Sequence, residues 1–279
     1  MVAASSYPTT SLSSNNNNNP NTSTSSINNE IVGKTLLLDM DGVLAEVSKS
    51  YRAAILATCH EYGATSVTFE TIAERKAKGG CNNDWKLSLD LIQTYTSDSG
   101  NLTLEQVTET FEKYYQGDPS TGKAGLCELE SLIPSRSTLE ELAKRCKTGG
   151  MAVVTGRPRS DCDKFLKLHN IQHLFDVCVC MEDGPAKPDP FPLLHACKLL
   201  NVPSNQMPSV IMVGDTPDDI RAAVSAGCIG VGVSLPEHAE IARRENKPHD
   251  SGKLATALHE CGARTVIPPG LEGLLDMFI

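Results

Sequence analysis

Short apolar runs separated by segments of helical spacing dominate the chain after Gly33. Their hydrophobicity is continuous rather than alternating, which is typical of strands buried on both faces of a parallel sheet. The pattern predicts strands at 35–40, 151–156, 176–182, 209–215 and 228–234, and the late run RTVI at 264–267 predicts an additional edge strand.

Segments of helical length and periodicity separate these runs. They predict helices at 137–147, 159–170, 189–201 and 217–226. Strands that alternate with helices indicate a doubly wound α/β domain with a parallel sheet. Ligands of such folds bind at the carboxyl ends of the strands, so the residues that follow each run are the first candidates for chemistry.

One long segment, residues 45–135, interrupts the alternation. It contains no convincing buried strand, and its apolar residues recur at three- and four-residue spacing instead. Helices are predicted from Val47 to Tyr62, around Trp85–Ile92 and over Leu104–Tyr114, the last with a capping box of Thr103 and Gln106. We therefore expect an inserted helical subdomain at 45–135, with the α/β core formed by 33–44 and 136–279.

Residues 1–32 have a different composition. Twenty of the first thirty residues are Ser, Thr or Asn. So little apolar surface cannot offset the entropy of ordering, and we expect a disordered tail. Its serine content fits a transit peptide for an organelle, but no Arg or Lys precedes Lys34, which counts against that interpretation. The expected location is the cytoplasm.

Composition narrows the range of partners. The chain of 279 residues carries a formal charge of −9, and nucleic-acid or anionic-membrane binding usually needs a basic surface. No apolar stretch approaches the length of a membrane helix. The ten cysteines lie mostly in apolar runs without CxxC spacing, as expected for reduced, buried thiols. We expect no nucleic-acid or membrane partner, and a homodimer is compatible with these features.

The string LLLDMDGV contains the most informative residues. Asp39 and Asp41 lie two residues apart at the end of an apolar strand, so their side chains project to the same side. Neighbouring carboxylates repel each other unless a cation or a shared proton intervenes, and Mg²⁺ favours oxygen ligands of this kind. Alternatively, the string is only a polar strand end before a Gly turn.

Three further strings accompany the first. GDTPDD at 214–219 places Asp215 and Asp219 after another apolar run, although Asp218 there would also serve as a helix cap. VVTGRP supplies Thr155 and Gly156, which suit a phosphate oxygen or an ordinary turn. AKPDP holds Lys187 in a proline-rich loop, where a lone lysine is often only solvated. The ordered combination of all four is a much stronger signal than any one of them.

The four motifs occur in the order DxD, Thr, Lys and GDxxxD. With them, the chain resembles the haloacid dehalogenase-like superfamily of phosphohydrolases over about residues 33–235. Among the members of that superfamily it resembles the phosphoglycolate-phosphatase-like enzymes. The resemblance implies a Rossmann-like core with a helical cap of the C1 type inserted after the first motif. It implies that Asp39 is the nucleophile and Asp41 the general acid/base. Its implied phosphate-binding residues are Gly42, Thr155, Gly156 and Lys187, and its implied Mg²⁺ ligands are Asp39, Asp41, Asp215 and Asp219, the last directly or through water.

The string KGGCNNDWK at 78–86 is the best candidate for substrate recognition in the helical segment. Polar side chains on a Gly-rich loop suit recognition of a leaving group, which suggests Asn82, Asn83, Asp84 and Trp85. The alternative is a capping turn, with Asn83 as the cap and Trp85 in the core. Arg52, on the first predicted helix, would face either a second anionic group or water.

These observations favour a Mg²⁺-dependent phosphatase that acts on a small phosphorylated metabolite through an aspartyl-phosphate intermediate. One alternative is a phosphomutase acting on a sugar phosphate. Another is a non-catalytic protein that binds a phosphate ligand on the same fold, because a fold by itself does not define a function.

Overall fold

A computed structural model describes residues 34–97, 100–146 and 149–278. The tail predicted to be disordered, residues 1–32, lies outside the described residues. All ten cysteines lie within them, and all are free, eight of them buried. No helix in the described ranges is long and apolar enough to cross a membrane.

The centre of the molecule is a six-stranded parallel sheet. Its strand order is β10-β9-β8-β1-β6-β7. The chain therefore builds outward from β1 in one direction and then crosses to build the other half. This confirms the predicted α/β fold with a doubly wound parallel sheet. The strands are β1 Thr35–Leu38, β6 Met151–Val154, β7 Val177–Val179, β8 Val210–Gly214, β9 Ile229–Val233 and β10 Thr265–Ile267.

Helices cover both faces of this sheet because strand side chains alternate between the faces. Leu36 and Leu38 belong to one buried cluster, whereas Leu37 belongs to another. The first cluster packs against α5 and α6, and the second packs against α7 and α8. The helices of the sheet region are α5 Arg136–Arg145, α6 Arg159–Leu168, α7 Phe191–Leu199, α8 Pro217–Ala226, α9 Pro236–Arg244 and α10 Lys253–Glu260.

The segment between β1 and α5 is mainly helical. Its helices are α1 Tyr51–Glu61, α2 Phe69–Ala77, α3 Asp84–Tyr95 and α4 Leu104–Tyr115. The sequence analysis did not predict α2, whose apolar residues Phe69, Ile72, Ala73 and Ala77 have helical spacing although only Ile72 is buried. The predicted capping box at Thr103 and Gln106 is present at the start of α4.

Two short strands join the chain entering this helical segment to the chain leaving it. β2 (Ala45–Glu46) pairs antiparallel with β5 (Ser131–Leu132). A second two-residue ladder links β3 (Gly117–Asp118) to β4 (Lys123–Ala124). The pairing of β2 with β5 therefore holds the chain that enters the helical segment beside the chain that leaves it, close to the end of β1. The limits 45–135 of a separate helical subdomain remain a prediction.

Candidate active site

Two carboxylates follow β1 and have different surroundings. Asp39 is 6% exposed, and its backbone N–H donates to the Val213 carbonyl on the neighbouring strand. Met40 between them points into the core, so both carboxylates face the cleft at the carboxyl end of the sheet. Asp41 is more exposed, and its Oδ1 accepts a hydrogen bond from Nε of Arg157 at 2.5 Å.

Gly42 is required by the turn after these residues. Its φ is +74°, in the left-handed region, and its N–H donates to the Ala45 carbonyl. A Cβ at this position would overlap the carboxylate of Asp215. The glycine therefore allows the β1 loop to approach the β8 loop closely.

The ammonium group of Lys187 lies close to three oxygen atoms of the site. Its Nζ is 2.9 Å from Oδ1 of Asp39, 2.6 Å from Oδ1 of Asp219 and 2.9 Å from the Val154 carbonyl. The residue is 5% exposed. Burial by itself lowers the pKa of Lys187, but the Asp219 and Asp39 carboxylates outweigh it and raise that pKa above its usual value. The lysine is therefore held as a buried cation.

Asp39, Asp215 and Asp219 form a buried acidic cluster. One oxygen atom from each lies within 4.8 Å of the others. Burial raises the pKa of Asp39 to about 7, against the opposing charge of Lys187. Burial, followed by the charges of Asp219 and Asp39, raises the pKa of Asp215 well above its usual range. Among the described residues, Oδ1 of Asp215 has no hydrogen-bond partner.

This donor set fits a hard divalent cation. Asp39 and Asp219 contact the Lys187 ammonium, and Asp215 has only the Arg52 guanidinium at 4.0 Å, so the three buried carboxylates outnumber the two cations beside them. Oxygen ligands of this type suit Mg²⁺, and the unpartnered Asp215 oxygen is a free ligand atom. Asp41, also a predicted ligand, lies outside this cluster because its carboxylate pairs with Arg157.

Thr155 and Gly156 lie at the end of β6 and line the same cleft as Asp39 and Asp41. The Thr155 hydroxyl accepts a hydrogen bond from the N–H of Arg157. At Gly156, a Cβ would lie 2.7 Å from the carbonyl oxygen of Asn82. Glycine here lets the loop before α3 rest directly on the strand end.

The residues predicted to recognise the substrate differ in what they contact. Asn82 donates from Nδ2 to the Lys187 carbonyl at 2.6 Å, and Asp84 pairs with Lys76 at 2.6 Å. Trp85 lines the cleft and donates from Nε1 to Glu112. Asn83 caps α3 by accepting from the N–H of Lys86, which is the alternative considered for it.

Arg52 faces the protein rather than bulk water. Its side chain is only 13% exposed, and Nη1 lies 2.7 Å from Glu237. Nη2 is 4.0 Å from Asp215. Of the two environments considered for this residue, the structure places it beside anionic groups, and those groups belong to the protein itself.

The interpretation of Asp218 as a helix cap is wrong. The Thr216 hydroxyl caps α8 instead, by accepting from the N–H of Asp219. Asp218 accepts a hydrogen bond from the N–H of Gly80 at 2.6 Å and another from Asn82. It therefore binds the loop before α3.

Sequence reasoning missed Arg157, which is the most extensively bonded side chain of the cleft. It is buried and contacts two carboxylates, Asp41 and Glu130. The only signal was its place directly after Thr155 and Gly156. An arginine in a turn is ordinarily a solvated residue, so nothing in the local pattern set it apart.

Two cavities meet at the acidic cluster. The cleft over Asp39 and Asp41 has a volume of about 50 Å³. A larger cavity of about 210 Å³ lies beside it, lined mainly by apolar atoms. Both are lined by Arg52, Lys76, Asp215 and Thr216.

Known proteins resemble this chain both in sequence and in structure. The sequence profile of the haloacid dehalogenase-like hydrolases matches residues 36–233. A protein of Phytophthora nicotianae named imidazoleglycerol-phosphate dehydratase is 46% identical over 245 residues, which cover 88% of this chain and 52% of that protein. A phosphoglycolate phosphatase of Haemophilus influenzae (strain 86-028NP) is 34% identical over 161 residues, 56% of this chain and 66% of the enzyme.

The chain thus spans only about half of the Phytophthora protein and just under two thirds of the Haemophilus enzyme. Among solved structures, that of a haloacid dehalogenase-like hydrolase from Bacteroides fragilis superposes with a TM-score of 0.62. The superposition covers 84% of this chain and 96% of the other at 20% identity, which supports the fold alone.

Proposed function

Because the chain belongs to the haloacid dehalogenase-like hydrolases, we propose that it is a Mg²⁺-dependent phosphatase of a small phosphomonoester, acting through an aspartyl-phosphate on Asp39. The observation that carries this proposal is the contact of buried Asp39 with Lys187, beside the carboxylates of Asp215 and Asp219. The resemblance seen in the four motifs is confirmed at the level of the family.

In the first proposed half-reaction, the Asp39 carboxylate attacks phosphorus while the bond to the leaving oxygen breaks. Lys187 supplies positive charge, and the backbone N–H of Gly156 supplies a hydrogen bond to the phosphoryl oxygens. Asp41 gives its proton to the leaving alkoxide. A covalent nucleophile accelerates the reaction because it divides one difficult displacement into two easier ones.

In the second half-reaction, water attacks the phosphorus of the aspartyl-phosphate, and Asp41 takes the proton of that water. Asp39 is then released as a carboxylate together with inorganic phosphate. A Mg²⁺ ion held by Asp39, Asp215 and Asp219 would neutralise the charge of the phosphoryl group.

The leaving group has room beside the acidic cluster. The cleft of about 50 Å³ is too small for a phosphoryl group and a large organic group together, but the adjoining cavity adds about 210 Å³. Its lining is mainly apolar, with Arg52, Lys76 and His238 among its polar residues. We therefore expect an organic leaving group larger than a simple alcohol.

The test is phosphate release from a panel of monoesters with and without Mg²⁺. The panel includes phosphoglycolate and imidazoleglycerol phosphate, compounds named in the relatives, and glucose 1-phosphate. We expect hydrolysis that EDTA abolishes and that Asp39→Asn lowers by more than about 1,000-fold, because the substitution removes the carboxylate that forms the aspartyl-phosphate. Asp90→Asn, at an exposed ion pair with Arg75, is the matched control.

Circular dichroism would show that the Asp39→Asn protein is folded. Hydrolysis by that variant at the wild-type rate would remove Asp39 from the nucleophile role. Formation of an isomeric sugar phosphate in place of inorganic phosphate would instead support the phosphomutase alternative.

A further inference from the structure

The guanidinium of Arg157 bridges two carboxylates inside the protein. Nε donates to Oδ1 of Asp41, while Nη1 and Nη2 donate to the two oxygens of Glu130 at 2.9 and 3.1 Å. The Arg157 side chain is 1% exposed and that of Glu130 is 3% exposed. A guanidinium that donates two parallel hydrogen bonds to one carboxylate is fixed in orientation as well as in distance.

Aromatic rings hold the plane of this guanidinium. Its central carbon lies 4.6 Å from the ring centre of Tyr51 and 5.6 Å from that of Phe165. Nη1 also donates to the Tyr115 hydroxyl at 3.3 Å. Arg157 therefore has little freedom to turn toward a phosphate, and four of its five N–H donors are bonded to the protein.

Glu130 is anchored where the chain returns from the helical segment, immediately before β5. Besides Arg157, it accepts hydrogen bonds from the Ser50 hydroxyl at 2.7 Å and the Tyr115 hydroxyl at 3.1 Å. Ser50 precedes α1 and Tyr115 ends α4. The contacts of Glu130 thus tie Arg157 to both connections of the helical segment.

Only one of the two carboxylates on Arg157 reaches the cleft. The Asp41 side chain is 26% exposed and lines the cleft over Asp39, whereas Glu130 is enclosed. A purely structural ion pair would not need a carboxylate at the site of reaction. Arg157 therefore links an enclosed residue, Glu130, to a carboxylate that lies beside the reacting atoms.

We propose that Arg157, anchored by Glu130, is a positioning residue that aims the Asp41 carboxyl at the oxygen that gains or loses a proton. The inference rests on the proposed function, in which Asp41 protonates the leaving oxygen as the bond from that oxygen to phosphorus breaks. Asp41 later removes a proton from the water whose oxygen bonds to phosphorus. Arg157 contacts Asp41 and does not itself touch the substrate.

The test compares two kinds of ester in Arg157→Lys and Glu130→Gln variants. An alkyl phosphate needs a proton on its leaving oxygen, whereas p-nitrophenyl phosphate releases a stable phenolate without one. Because kcat/KM reports the steps up to release of the leaving group, we expect it to fall about 100-fold for the alkyl ester, within the usual range of general-acid catalysis. For p-nitrophenyl phosphate we expect less than about a threefold change.

Arg159→Lys is the matched control. Arg159 is two residues further along the chain, at the start of α6, where it pairs with Asp183 and does not line the cleft. We expect both esters to be turned over at wild-type rates by this variant. Glu130→Gln keeps the shape of the anchor, so it tests the inference even if Arg157→Lys does not fold.

A double-mutant cycle separates action through Asp41 from general damage. In an Asp41→Asn background, assayed with p-nitrophenyl phosphate and the alkyl ester, Arg157→Lys should cause no further loss. Equal losses for the two esters, or additive losses in that background, would overturn the inference. Failure of the proposed function is distinct, since the wild-type protein would then hydrolyse neither ester.

Discussion

At the scale of single residues, the site is defined by the pairing of each carboxylate. Asp39 and Asp219 share Lys187, whereas Asp41 contacts Arg157 and Oδ1 of Asp215 has no partner among the described residues. Identical side chains thus have different chemistry because their neighbours differ. Asp39 is poised beside a cation, and Asp215 contributes repulsion that a divalent cation would relieve.

The crowding of buried carboxylates at Asp39, Asp215 and Asp219 predicts an unusual pH dependence of stability in the absence of metal. The pKa of Asp39 is raised to about 7, and that of Asp215 is also raised. An acid whose pKa is higher in the folded state stabilises the protein at low pH, and this contribution is lost as pH rises through the folded pKa. In EDTA, the Tm should therefore fall between pH 5 and pH 8.

Asp215→Asn should raise the metal-free Tm at pH 8, by about 2–4 °C for each kcal/mol of repulsion removed. It should also flatten the fall between pH 5 and pH 8 and abolish stabilisation by Mg²⁺. Differential scanning calorimetry at both pH values measures all three effects. Asp250→Asn, at an exposed position, is the control. Parallel pH curves for wild type and Asp215→Asn would contradict this account.

At the scale of elements, the loop before α3 is fastened to the start of α8. Gly80 and Asn82 both donate to the Asp218 carboxylate, and Asn82 also donates to the carbonyl of Lys187. The close approach of Asn82 to Gly156 adds a steric contact. This loop therefore holds the cleft-lining start of α3 against the strand ends.

Asp218→Ala should loosen this loop without unfolding the sheet. Hydrogen bonds to a charged group contribute about 1.5–3 kcal/mol, so amide exchange at Gly80, whose backbone N–H donates to Asp218, should accelerate by about 10- to 100-fold. Exchange in β1 and β8 should be unchanged. Hydrogen–deuterium exchange with mass spectrometry measures both.

A capping variant in another helix is the control for this experiment. Thr103→Ala removes the cap of α4 and should accelerate exchange only at the start of that helix. Unchanged exchange at Gly80 in the Asp218→Ala protein would show that Asp218 does not fasten the loop.

At the scale of the whole molecule, the cleft is lined by residues from distant parts of the chain. Asp39 and Asp41 follow β1, Thr155 follows β6, and Trp85 belongs to α3. Trp85 is the single tryptophan of the protein, and its Nε1 donates to Glu112. Its fluorescence can therefore report events at the strand ends.

Inorganic phosphate with Mg²⁺ should change the emission of Trp85 with a saturable concentration dependence. A charged group bound in the cleft alters the field around the indole. Fluorescence titration measures the effect, and Trp85→Phe should give no signal in the same experiment. An unchanged spectrum at phosphate concentrations that inhibit hydrolysis would place phosphate away from Trp85.

Agreement between sequence and structure is closest where the signal is local. The runs that predicted five strands and an edge strand correspond to β1 and β6–β10, with ends that agree to within three residues. The capping box at Thr103 is local as well, and it is present. α2 was not predicted, because four of its nine residues are charged and the spacing of Phe69, Ile72 and Ala73 is a weak signal over so short a segment.

The amino-acid sequence by itself determined the parallel sheet and the gathering of Asp39, Thr155, Lys187 and Asp215 near one edge. It could do so because continuous apolar runs indicate parallel strands, and parallel strands bring their carboxyl ends together. Only the tertiary structure decided which partner each side chain has. Arg157 meets Asp41 across 116 residues and Gly80 meets Asp218 across 138, and no local pattern records contacts at such separations.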